Sequence, residues 1–354
     1  MAQAIVDARD AALTALLDDA TTVPPGRLDL SAALVAQLAH RRGPHAWTLG
    51  RFVVSPDGAR SLAGQLAAAW AQVDAAVGEQ GQAVAEPPPL PLAVVLARVG
   101  VASLSPTLDA ELVGLAALAG DPGIDLQAVE VTLLGPGPAA EIEAMVSAVG
   151  EAGLTDRVEV GCEIPLAGRP AGEVVRRLEA VAAARGSGAS VRAMLRLSGT
   201  MPAATPSMTE VAGFLRTCAA LAVPVRATGA RRVVASDDAS AGSSPAQRTS
   251  AAARPRPAIG RDVPGEGEHG ILTLLGAAVV AHQGGALADI RDMLVQSGDR
   301  LRLGSGALIV GDEVLESELL GGARDALLHG IGCADLDGPV RQLAAIGALA
   351  RTET

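Results

Sequence analysis

Two arginines, Arg196 and Arg226, stand in the stretch from Ser190 to Ala230, each on a segment that reads as a strand. A guanidinium is a planar fork of donors, suited to gripping a carboxylate or phosphate through paired hydrogen bonds. Arg51, Glu163 and Thr228 join them as the polar residues expected at strand ends. A charge placed in or on top of a parallel barrel must be paired or face a ligand, because burying it alone costs several kcal/mol. Two arrangements stay open at this level. Either the arginines and Glu163 satisfy one another as an ion cluster, or the arginines bind an anion while Glu163 orients one of them or acts as a base.

His269 opens a helix whose free N–H groups favour an anion, and it could serve as a general acid or base; as an exposed neighbour of a helix cap it would do neither. Cys162, beside Glu163, reads as a small core residue. Cys333 sits in a Gly-flanked turn that would expose it, with His329 the nearest histidine in sequence.

Several chemistries are excluded. The chain contains no Lys, so an internal Schiff base, covalently held pyridoxal phosphate and a phosphate-loop lysine are all out of reach. There is no H-E-x-x-H, C-x-x-C or G-x-S-x-G, so neither a dedicated metal site nor a bound cofactor is expected. A formal charge of −11 and 1% aromatic residues argue against nucleic-acid binding, which needs basic surface and stacking platforms. The 3 cysteines match no disulfide or metal spacing, which points to a reducing cytoplasm. The N-terminus has acids among its apolar residues and no basic stretch before them, unlike a signal peptide. The apolar run from Ile271 to Ala281 is too short to span a bilayer and reads as a buried helix.

The elements that would position these residues alternate. WTLGRFVVS, PLAVVLARV, LQAVEVTLL, RVEVGCEIPL, SVRAMLRLSGT and PVRATGA read as strands, and each but the last is followed promptly by a helical period. Such alternation predicts a parallel sheet. A TIM-like (β/α) barrel is favoured over an open sheet, an incomplete or irregular one included. A weaker seventh unit around LRLGSGALIV brings the count towards eight, and no strand is followed by G-x-G-x-x-G. Arg196 and Arg226 are then expected near the end where barrels carry their chemistry.

Around these units, residues 1–46 read as a helical extension with Asp29 as a cap, and 47–235 as the barrel units. Residues 236–266, rich in Ser, Pro, Ala, Gly and Arg without periodicity, read as a disordered insertion, either inert or a mobile lid. Residues 267–354 read as the helical remainder of the barrel domain.

The segments Met194-Leu195-Arg196-Leu197-Ser198-Gly199, Pro224-Val225-Arg226-Ala227-Thr228-Gly229-Ala230, His269-Gly270-Ile271-Leu272-Thr273 and Gly332-Cys333-Ala334 with Asp337 and Pro339 follow one another in a recognisable order. In order and spacing the chain resembles an uncharacterised bacterial β/α-barrel family. That family carries K-L-R-x-G-G, P-F-K-A-T-A-G-L-H-H-P, H-G-F-L-N and G-S-C-S-F-x-E-P. The family's lysines fall on Met194 and Arg226, and its paired histidines on Arg231, Arg232 or Val233. The expectation is a barrel whose mouth binds a small anionic organic molecule, with an aldolase-like or lyase-like enzyme as one form of it. The contrasting expectation is a catalytically inactive barrel homologue with a structural or regulatory role.

Overall fold

The computed structural model describes residues 6–24, 26, 28–78, 87–96, 106–154, 157–198, 205–230, 232–233 and 269–350. Eight parallel strands close into a barrel: β1 (Leu17–Asp19), β2 (Leu49–Val54), β3 (Leu90–Val95), β4 (Ile124–Thr132), β5 (Glu159–Glu163), β6 (Val191–Arg196), β7 (Val225–Ala230) and a last strand, β11 (Leu328–Cys333), which lies between β1 and β7. Helices α2 (Leu30–Arg42), α3 (Pro56–Gly78), α4 (Pro106–Leu118), α5 (Pro138–Glu151), α6 (Ala171–Gly186) and α7 (Met208–Ala220) return the chain between the first seven strands. Between β7 and β11 come α8 (Ile271–His282), α9 (Leu287–Leu294), a small antiparallel sheet and α10 (Ser317–Ala326); α11 (Asp337–Ala345) follows the barrel, and a short α1 (Ala8–Leu13) precedes it. No described helix is long and apolar enough to cross a membrane.

The pleat divides the strand residues into two populations, because successive side chains point to opposite faces. Phe52, Leu92, Val129, Cys162, Ala193, Ala227 and Ile331 point outward and pack into the main core beneath the helices. The inward set differs in kind. Ala20, Val53, Ala93 and Ala128 form a small separate apolar cluster on the β1 to β4 side. The inward residues of β5 to β7 are instead mostly charged or polar: Glu159, Glu163, Arg192, Arg196, Arg226 and Thr228. Met194 lies among them, opposite Gly161, where a Cβ would stand 2.5 Å from its sulfur.

Three sequence expectations need correction. Residues 1–46 are not all helical, since Leu17–Asp19 is a barrel strand paired with both β2 and β11; three residues are too few to show an alternation in sequence. LRLGSGALIV is not a barrel unit. It forms β8 (Leu301–Leu303) and β9 (Ala307–Val310), joined by β10 (Glu313–Glu316) in an antiparallel sheet outside the barrel, because Gly304-Ser305-Gly306 makes a hairpin turn where a parallel unit needs a long crossover. The segment 267–354 is not purely helical either, because the strand that completes the barrel, Leu328–Cys333, lies between the two helices expected there. Asp29 does cap α2, accepting from the Ser31 N–H at 3.0 Å, and α8 is buried along most of its length. The insertion read at 236–266 lies outside the described residues.

Candidate functional site at the barrel mouth

Arg226 is the second residue of β7, which places it towards the N-terminal end of the strand and deep in the lumen. Its Nε donates to Asp18 Oδ2 at 2.6 Å, and Nη1 pairs with Glu130. Asp18 is on β1 and Glu130 on β4, two strands away in one direction around the barrel and three in the other, so these bonds run through the interior. Only 1% of the Arg226 side chain is exposed. Burial pushes its pKa down, and the Asp18 carboxylate opposes the shift. The ion-cluster arrangement therefore holds for Arg226, with Asp18 and Glu130 as partners in place of Glu163.

Glycines make the crossing possible. Asp18 and Arg226 meet over the intervening β11 at Gly330, where a Cβ would lie 2.9 Å from Asp18 Oδ2. On the other side Asp18 faces a bulge in β2, since Leu17 pairs with Leu49 but Asp19 with Phe52, and the Arg51 N–H bonds to its carboxylate.

Arg51, expected at the chemical end, is also displaced. It lies near the start of β2, at the opposite pole, where Nε donates to Gln127 Oε1 at 2.8 Å and Nη2 approaches Glu159 at 3.7 Å. Arg192 pairs with the same Glu159, whose pKa burial raises despite the opposing Arg51 charge. These groups close the floor of the barrel.

Glu163 and Arg196 end β5 and β6 and do reach the mouth. Arg196 Nη2 donates to Glu163 Oε2 at 2.5 Å; the side chains are 37% and 12% exposed respectively. Among the described residues Arg196 makes no other hydrogen bond, so Nε and Nη1 are left to whatever enters. Thr228 is the register partner of Arg196 on β7 and points the same way. Its Oγ1 is buried without a hydrogen-bond partner among the described residues. Just beyond it Gly229 turns with φ +82, a left-handed conformation that suits glycine, and its carbonyl accepts from Ser198 Oγ at 2.8 Å. Residues 97–105, 199–204 and 234–268 lie outside the described residues.

His269 is buried and does not present an anion site. Its Nε2 donates to the Pro206 carbonyl at 3.2 Å, and burial pushes its pKa down. The first N–H groups of α8 are already taken: Ile271 N bonds to Arg232 O and Leu272 N to Val233 O, both at 3.0 Å. Cys333 is buried, contrary to its Gly-flanked setting, because it continues β11 and faces outward into the core. All three cysteines are fully buried, with Cys162 pushed up to about 12 and Cys218 and Cys333 also raised. A thiol reagent should therefore leave all three unmodified in the native protein and label them after unfolding in urea; rapid native labelling would contradict the burial.

No protein-family model matches the chain, and no curated protein matches its sequence. Among the described residues no group of three or more metal-ligating side chains converges. Of the expected site residues, the fold brings Glu163, Arg196 and Thr228 together at the mouth, sends Arg226 below them and Arg51 to the far pole, and buries His269 against Pro206. Sequence reasoning missed Asp18 and Glu130. The signals were present, as an acid directly after the apolar run ending at Leu17 and a lone glutamate inside the apolar strand around Val129 and Val131.

Proposed function

We propose that the barrel mouth binds a small organic anion through Arg196, with Glu163 as the residue that positions the guanidinium. The carrying observation is the difference in accessibility among the lumen arginines. Arg226 and Arg192 are enclosed with their carboxylates, whereas Arg196 is 37% exposed and tethered at one nitrogen only. A guanidinium held at one nitrogen keeps a fixed direction and still offers donors for a two-point grip on a carboxylate, which lowers the ordering cost of binding. The location agrees with the general placement of barrel chemistry at the C-terminal strand ends.

The alternative, a barrel that binds nothing and acts as a structural partner, draws support from the Arg226 cluster, whose guanidinium charge is countered by Asp18 and Glu130 without a ligand. The two readings separate by titration with a panel of carboxylates and phosphates. Arg196→Met should weaken the binding of whichever anion is taken by about 2 to 5 kcal/mol, as when a charge pair loses one partner. The melting temperature should fall less than in Arg226→Met, since Arg196 is itself 37% exposed and strands one carboxylate, Glu163, where Arg226 strands two. Equal binding by the wild type and Arg196→Met would sink the reading.

A further inference from the structure

Among the described residues, two buried polar atoms on the β7 side of the lumen, below Arg196, meet neither a hydrogen-bond partner nor a counter-charge. Thr228 Oγ1 is one, and Nη2 of Arg226 is the other; the Asp18 and Glu130 contacts use Nε and Nη1 and leave Nη2 without a partner. Both groups border the same small space. A Cβ built on Gly332 would stand 3.5 Å from Arg226 Nη2 and 3.6 Å from the Thr228 Cα, in ordinary contact with each. The glycine is therefore not demanded by a clash. It leaves open a cradle lined by a guanidinium donor and a hydroxyl. Buried polar groups in native proteins are nearly always satisfied, so an oxygen belongs here, supplied by a ligand or by water.

The cradle lies one strand from Arg196, since Thr228 and Arg196 are register partners and adjacent strands run about 4.8 Å apart. A small acid held at Arg196 therefore has its neighbouring atoms beside the cradle.

The helix ends that follow the strands of Arg196 and Thr228 do not favour a phosphate. Phosphate sites on barrels use free N–H groups at helix N-termini. Here the N-terminus of α7 is closed by Ser207 and Glu210, that of α8 by the Arg232 and Val233 carbonyls, and the turn into α11 by Asp335, whose carboxylate accepts from Gly338 N at 3.2 Å.

Resting on the proposed anion site, we infer that the ligand is a small 2-oxo or 2-hydroxy carboxylic acid. Its carboxylate meets Arg196, and its C2 oxygen descends into the cradle, accepting from Arg226 Nη2 and bonding to Thr228 Oγ1. Arg226, fixed by Asp18 and Glu130, then has a second duty as a positioned donor.

Calorimetric titration of the full chain with pyruvate, L-lactate, propionate and inorganic phosphate tests this. Pyruvate or lactate should bind at least about tenfold tighter than propionate, the usual penalty when a buried donor is left unpaired, and phosphate should bind weakest. Gly332→Ala, which fills the cradle without a clash, and Thr228→Val should each erase the preference over propionate while propionate itself binds as before. Arg196→Met should abolish binding of all three acids. Thermal melts accompany each variant, and Thr228→Val serves if Gly332→Ala is unstable. Equal binding of pyruvate, lactate and propionate would show that the cradle holds only a buried water and would overturn this inference alone. Phosphate binding tighter than any acid, in an Arg196-dependent way, would overturn it and leave the anion site standing. Binding of none of the probes, or binding indifferent to Arg196→Met, would overturn both.

Discussion

Replacing Arg226 by methionine should cost the fold about 3 to 5 kcal/mol, the largest loss expected from any single polar substitution in this barrel. Methionine replaces the aliphatic stem and leaves the place of the guanidinium empty, so a packing loss adds to the electrostatic one. The change strands two carboxylates, Asp18 and Glu130, both about 4% exposed at the side chain and both facing the lumen. Against a typical total stability of about 5 to 15 kcal/mol, such a loss is visible in a urea melt as a lower midpoint with an unchanged slope. Asp18→Asn and Glu130→Gln introduced together into Arg226→Met should recover most of it, since the amides need no counter-charge. Glu163→Gln should recover none, because Glu163 is bonded to Arg196 instead.

The same variant carries a pH signature of definite sign. Without Arg226 two carboxylates are buried with no counter-charge, and the penalty falls on their charged forms alone. Acid removes that charge, and neutral pH imposes the penalty in full. The deficit of Arg226→Met relative to wild type should therefore shrink on acidification and be greatest at neutral pH and above. A deficit independent of pH would mean that packing, not stranded charge, sets the cost.

What could be read from the sequence follows the strength of each periodic signal. Strands β2 to β7 show in the sequence because each carries an outward apolar series, such as Val160, Cys162 and Ile164, and because a helix follows β2 to β6 promptly. β1 and β11 do not, for different reasons. Leu17–Asp19 is too short to alternate. In Leu328–Cys333 the inward positions are Gly330 and Gly332, and a strand whose inner face is glycine resembles a loop between two helices. Those glycines carry the positional information about the lumen, since one makes way for the Asp18–Arg226 bond and the other leaves the cradle open. Residue type identified Arg226 as a charge needing a partner. Depth along the strand could not be read, because one arginine near each strand reads alike at its second residue and at its last. Arg196 and Glu163 were placed correctly because each ends its strand.

Gly50 supplies the second large effect, and it tests whether the glycines exist for the ion network or for the backbone. A Cβ at Gly50 would overlap Asp18 Oδ1 and stand 3.0 Å from the Ala15 carbonyl oxygen. The Asp18 carboxylate cannot swing aside cheaply, since it also accepts from the Arg51 N–H and from Arg226 Nε. Gly50→Ala should therefore destabilise by about 3 kcal/mol, the upper end for forcing extra volume into a packed site. In an Asp18→Ala background the overlapping atom is gone, and the same substitution should cost less than about 1 kcal/mol. The double-mutant cycle should thus show a coupling of about 2 kcal/mol between residues 50 and 18. Equal costs in the two backgrounds would assign Gly50 to the bulge itself, with the Ala15 carbonyl as the obstacle. A strong coupling instead makes the bulge a device for seating Asp18, and through it for fixing Arg226 beneath the mouth.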